Sequence, residues 1–152
     1  MAARVPYIAM HWRGHSDQMQ SVAQYSKVTH EVRDELAARI DGLLVQGVEL
    51  EQIIIDPGLG FAKTSSHNWA LLHDLKAIKE LNRPILIGAS RKHFLGELLS
   101  SDGIDRPLNQ RDDATIALTA MAVQAGAWGV RVHEVRGNRD AVAVVGRWLR
   151  KK

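Results

Sequence analysis

Three stretches hold side chains whose types and spacing could do chemistry. In IIIDPGLGFAK the apolar run 53–55 stops at Asp56. Aspartate is poor in strands, and none is needed to end this one, because Pro57 and Gly58 already break it. Asp56 therefore reads either as a turn or helix cap or as a buried carboxylate that accepts two N–H donors from a planar heterocycle. Gly58 and Gly60 allow a sharp turn and a close approach of a ligand to the main chain. GLGFAK lacks the spacing and the Lys-Ser/Thr ending of a phosphate loop, so that reading is rejected.

GASRKHF places one hydroxyl, Ser90, and two cations, Arg91 and Lys92, where an apolar stretch gives way to a helical one. The start of that helix adds positive potential. Two adjacent cations in a loop are commonly just solvated. At a shared rim with Asp56, a lysine here could bridge a bound heterocycle and an incoming anionic co-substrate. In VRVHEV, strand alternation puts Arg131 and His133 on one face and Val130 and Val132 on the other. An arginine and a histidine so paired suit a pyrophosphate.

These stretches need elements to hold them. VPYIAMH, IIID, PILIGAS and WGVRVHEV read as four short strands. A helical pattern over about 21–46 follows the first, with Val28, Val32, Leu36, Ile40, Leu43 and Leu44 in register and Gly47 as its stop. SHNWALLHDLKAIKELN is the second helix, with Ser66 or Asn68 as N-cap. KHFLGELLSS and RDDATIALTAMAVQAGA follow the third strand, and RDAVAVVGRWLR closes the series. Short apolar strands alternating with helices predict a parallel sheet covered by helices. The polar exceptions fall at strand C-terminal ends: Met10 and His11, Asp56, Ser90 with Arg91 and Lys92, and Arg131 with His133. Loops open there in β/α barrels and in open α/β sheets alike, so the layout predicts a site.

The remaining residues exclude more than they suggest. The chain has 152 residues, 45% hydrophobic and 24% charged, with no cysteine and a net charge of +3. That is one globular domain, 1–152, without disulfides, thiolate metal sites or a cysteine nucleophile. No apolar stretch reaches the roughly 20 residues of a membrane span, and no signal peptide is evident, so the expectation is a cytoplasmic protein that binds neither membrane nor nucleic acid. His30 and His73 fall in helical stretches, and His15 and His67 in loops. None makes an HExxH or similar cluster, so no metal is expected to be held by this chain alone. Trp69, Trp128 and Trp148 read as packing residues, while Trp12 sits in a rim loop. There is no GxSxG elbow.

Together MHWRG, DPGLGFAK, GASRKHF and RVHEV resemble dihydropteroate synthase, in the order that family shows for its last four barrel strands, with actinobacterial members most similar. The resemblance covers essentially the whole chain. It implies an α/β fold, half of a TIM (β/α)8 barrel, with four βα units corresponding to strands 5–8. It implies a transferase of folate biosynthesis, joining 4-aminobenzoate to 6-hydroxymethyl-7,8-dihydropterin diphosphate with release of pyrophosphate. Asp56 and Lys92 are then the catalytic residues. Met10, Asp56, Phe61, Gly88 and Lys92 would bind the pterin, Ser90 and Arg91 would lie at the 4-aminobenzoate end, and Arg131 and His133 would hold the diphosphate. Glu134 stands where the family usually has Asp. Magnesium is expected as the family's cofactor, with its ligand in an N-terminal half that this sequence does not show. Four strands cannot close an eight-stranded barrel, so the expected partners are an N-terminal half or a second copy, and the isolated chain is expected to be inactive. A non-catalytic pterin-binding or self-associating half-barrel and a pterin-dependent methyltransferase are the alternatives.

Overall fold

The computed structural model of the chain describes residues 5–14 and 23–150. Within them four βα units follow one another. Strand β1 (Tyr7–Met10) leads to helix α1 (Val28–Val45), and β2 (Ile53–Asp56) to α2 (Ser65–His73) and α3 (Leu75–Lys79). Strand β3 (Leu86–Ile87) is followed by α4 (His93–Leu98) and α5 (Asp112–Gln124), and β4 (Gly129–Val130) by α6 (Val135–Leu149). β1 pairs with β2 and β3 with β4, both in parallel, and a parallel bridge between Ile55 and Ile85 joins the pairs. The order β1-β2-β3-β4, with every crossover helical, is the architecture of half a β/α barrel.

The periodicity explains most of the packing. Ala9, Ile53, Ile55, Ile85 and Ile87 are buried against Val32, Leu36, Leu71, Ile78, Phe94 and Leu95 of the helices. Each of these Val, Leu, Ile and Phe side chains contributes about 1.5–3 kcal/mol by leaving water. The opposite face of β1 and β2 carries Ile8 beside Ile54 and Met10 beside Asp56. Ile8 is 47% exposed while Ile54 is 6% exposed, which marks β1 as an open edge.

Several expected boundaries shift. The helix expected from about 21 begins at Val28, where the Glu31 carboxylate accepts the N–H groups of Ser26 and Lys27. Ser21 and His15 lie outside the described residues. The long second helix breaks at Asp74 into α2 and α3. Its N-cap is Thr64, not Ser66 or Asn68, because Thr64 and His67 form a reciprocal capping box. His67 is thus helical rather than in a loop. Asn68 spends its side chain on the neighbouring turn. Regular pairing of the third and fourth strands covers two residues each, Leu86 with Gly129 and Ile87 with Val130. Trp69 packs edge-on to Phe94, with centroids 5.0 Å apart. Trp128 and Trp148 are exposed on the outer layer, contrary to a packing role. No helix among the described residues is long and apolar enough to cross a membrane.

Candidate functional site

The C-terminal ends of the four strands bring the expected residues together. Asp56, 1% exposed, ends β2. Its Oδ1 accepts the Gly58 N–H at 2.8 Å, while Oδ2 has no hydrogen-bond partner. Nη2 of Arg131 stands 3.0 Å from Oδ2 in an ion pair. A buried carboxylate is costly unless something pairs with it, and Arg131 supplies the opposite charge while Oδ2 remains able to accept a hydrogen bond. Met10 lies beside Asp56 in register, and its neighbour His11 donates its backbone N–H to the Asp56 carbonyl at 2.8 Å.

Arg131 reaches Asp56 by passing over Gly88. A Cβ built on Gly88 would lie 2.6 Å from Arg131 Nη2, so the missing side chain leaves the guanidinium its path. Ser90 holds His133: its Oγ accepts the His133 backbone N–H at 3.1 Å and lies 2.9 Å from Nδ1. With the hydroxyl donating to Nδ1, the neutral ring carries its proton on Nε2. Lys92 Nζ sits 4.0 Å above the centroid of the Phe61 ring, a cation–π contact. Burial, then the nearby Arg131 charge, lowers the Lys92 pKa below the ordinary lysine value, and Asp56 partly opposes this. Phe61, Gly88, Ser90, Lys92, Arg131 and His133 line one cavity of about 200 Å³.

Arg91 is at the same rim, but its guanidinium is not among the others. Its Nε and Nη2 each donate to Asp112 at 2.8 Å, a bidentate pair, and its φ is +58°. The first turn of α5 also grips its main chain: Thr115 Oγ1 accepts its N–H and Arg111 Nη1 donates to its carbonyl. This clamp sets the turn from which Ser90 and Lys92 point into the cavity. A second, polar cavity of about 580 Å³ opens on the other side of Lys92, bounded by Gly60, Ser66, His93 and Arg111.

Sequence reasoning missed a buried group beneath the site. Lys63 is 5% exposed, and Nζ lies 2.9 Å from His11 Nδ1, 3.1 Å from the Gly58 carbonyl and 3.0 Å from that of Phe61. Burial pulls its pKa down to about 7, and pulls that of His11, with help from the Lys63 charge, down to about 4. His11 Nε2 lies 2.9 Å from Oε2 of Glu35, which also pairs with Arg13. Asn68 secures the glycine turn by accepting the Gly60 N–H at 2.8 Å. A lone loop lysine reads as solvated, so only the fold reveals Lys63.

Magnesium, implied by the resemblance, finds no ligand set here: no group of three or more His, Cys, Asp or Glu side chains that could hold a metal comes together among the described residues.

The model of the pterin-binding enzyme family matches residues 1–133. The chain belongs to that family. Among its relatives, the dihydropteroate synthase of Mycobacterium leprae is 49% identical over 149 residues, covering 97% of this chain and 52% of that protein. The dihydropteroate synthase of Xanthomonas albilineans, solved in complex with 7,8-dihydropteroate, superposes with a TM-score of 0.86 at 33% identity, over 98% of this chain and 52% of that one. A second structure of the same enzyme, with 4-aminobenzoic acid, gives a TM-score of 0.86 at 34% identity, over 98% and 51%. The chain thus spans about half the length of the dihydropteroate synthases it matches. These pterin-binding relatives agree with the half-barrel fold.

Proposed function

We propose that this chain supplies the strand 5–8 half of a cytoplasmic dihydropteroate synthase, which joins 6-hydroxymethyl-7,8-dihydropterin diphosphate and 4-aminobenzoate. The observation that carries the reading is the buried Asp56 carboxylate, whose Oδ2 is ion-paired with Arg131 but accepts no hydrogen bond. A pterin offers a matched pair of ring N–H donors to such a carboxylate. Met10, Phe61 and Gly88 line its ring, and Lys92 spans it and the second substrate. Arg131 and the Nε2–H of His133 hold the diphosphate, whose departure breaks the C–O bond at the pterin methylene. The amine of 4-aminobenzoate, at the end marked by Ser90 and Arg91, attacks that carbon and then loses a proton. Positioning and charge stabilisation drive such a step without a protein nucleophile. The similarity to a synthase solved with 7,8-dihydropteroate supports this choice over methyl transfer.

The rest of the barrel completes the pterin site and covers the open edge at β1, so an N-terminal half, or the matching segment of a longer chain, is the partner proposed. The test combines this chain with strands 1–4 of the Mycobacterium leprae relative and follows pyrophosphate release. Release that needs both halves and 4-aminobenzoate, and disappears with Asp56→Asn, is the expected result. No release from the combined, folded halves overturns it.

A further inference from the structure

Lys63 is almost wholly buried, at the edge of the polar cavity beside Lys92, and it is built into the floor of the site. An ammonium carries three N–H donors and no acceptor. All three find partners: Nδ1 of His11 and the carbonyls of Gly58 and Phe61. The Gly58 carbonyl also accepts the Phe61 N–H at 3.1 Å, closing the turn 58–61. Lys63 therefore holds both ends of that turn from below.

The His11 ring is set for this role from outside. A carboxylate can only accept, so the 2.9 Å contact with Glu35 requires the proton on Nε2, which leaves Nδ1 as the acceptor that faces Lys63. Glu35 on α1 thereby fixes the tautomer that receives the lysine. Gly58 completes the fit: at φ +69°, its Cβ position would fall 2.0 Å from the His11 carbonyl oxygen, so no side chain can replace the hydrogen there.

Stability alone does not account for burying this cation. Desolvation takes back much of what the polar contacts give, and an apolar side chain of similar length is often as stable. What the arrangement does fix is the place of Phe61, whose ring lies beneath Lys92.

We infer that Lys63 is a positioning residue of this site: its ammonium, received by the Glu35-oriented His11, locks the turn that seats Phe61 under Lys92. The inference rests on the pterin reading for its consequence, but not for the lock itself.

The experiment uses the full chain together with the half that completes its barrel, comparing Lys63→Met, Lys63→Arg and Glu35→Ala with the parent. Amide hydrogen exchange reads the lock, and titration with 6-hydroxymethyl-7,8-dihydropterin reads the site. In Lys63→Met, exchange at the Phe61 amide rises at least tenfold while 53–55 keep the parent rate, and pterin affinity falls at least tenfold. Lys63→Arg, which keeps the charge and the donors, recovers the affinity to within threefold. Should Lys63→Met not fold, Glu35→Ala at the surface decides: with no acceptor left for Nε2–H, the lock requires faster Phe61 exchange and a His11 proton no longer confined to Nε2, seen by ¹⁵N NMR. Parent exchange at Phe61 in either folded variant overturns the inference, as does a Lys63→Met protein whose pterin affinity stays within twofold. A parent that binds no pterin, while Lys63→Met still loosens Phe61, defeats the pterin reading alone.

Discussion

Asp56 and Arg131 approach within 3.0 Å across the strand ends, one from the end of β2 and the other just past β4. The carboxylate is buried and the guanidinium is half exposed. On the proposed reading the pair joins an inner recognition point to an outer anion grip, and a substrate with a donor face and an anionic tail would engage both at once.

Asp56→Asn tests the inner end. Asparagine retains an acceptor for the Gly58 N–H but loses the charge and turns a donor toward Arg131. Pterin affinity is expected to fall 10- to 100-fold, about the 1.5–3 kcal/mol of a hydrogen bond to a charged group. Calorimetric titration checks it, and an unchanged affinity would contradict the proposed role.

Gly88→Ala tests the path of Arg131. The new methyl group would meet Nη2 at 2.6 Å, and the flexible side chain can yield by leaving Asp56. The variant is expected to fold with a melting temperature near the parent's while its affinity for pyrophosphate drops about tenfold, roughly 1.4 kcal/mol. Retained pyrophosphate binding would show that Arg131 does not need this route.

Asp112→Asn tests the clamp on Arg91. Losing one half of a bidentate ion pair, partly exposed, costs up to about 1 kcal/mol of stability. Lys92 and Ser90 lose their fixed turn, so affinity for 4-aminobenzoate in the presence of pterin and pyrophosphate falls severalfold, while pterin affinity stays within twofold. Equal loss of both ligands would assign Asp112 to general folding instead.

Acid stability tests the buried histidine. His11 titrates near 4 in the fold and near 6.5 when unfolded, so between these values the unfolded chain binds the extra proton. Stability from this group is therefore complete above about pH 6.5 and is lost as pH falls toward 4, by on the order of 3 kcal/mol. Urea denaturation at pH 6.5 and 4.5 should show a smaller acid loss in His11→Gln than in the parent. An identical loss in both would place the acid sensitivity elsewhere.

Much of this was legible in the residues. Apolar triplets ending in Asp56, and glycines at 58 and 60, announced a strand and a turn because few other structures tolerate them. Arg131 and His133 two apart pointed to one wall, and both do line one cavity, but so does Val132, expected on the opposite face, because β4 ends at Val130 and strand alternation stops there. Arg91 was legible only as a cation at the rim. That its guanidinium serves Asp112, 21 positions later, depends on how α5 packs, which no local pattern records. Lys63 and Glu35 were hidden for the same reason: their meeting through His11 joins three segments distant in sequence. Thr64 displaced Ser66 and Asn68 as N-cap because it forms a reciprocal capping box with His67, while Asn68 is engaged by Gly60, an arrangement visible only once all are placed.

On the proposed reading, one end of this site holds a heterocycle and the other its diphosphate. The most direct measurement titrates the chain, paired with its complementing half, with 6-hydroxymethyl-7,8-dihydropterin and with its diphosphate ester, before and after Arg131→Met. At least a tenfold loss is expected for the ester and a change within twofold for the alcohol. Equal loss of both ligands, or loss of neither, would contradict it.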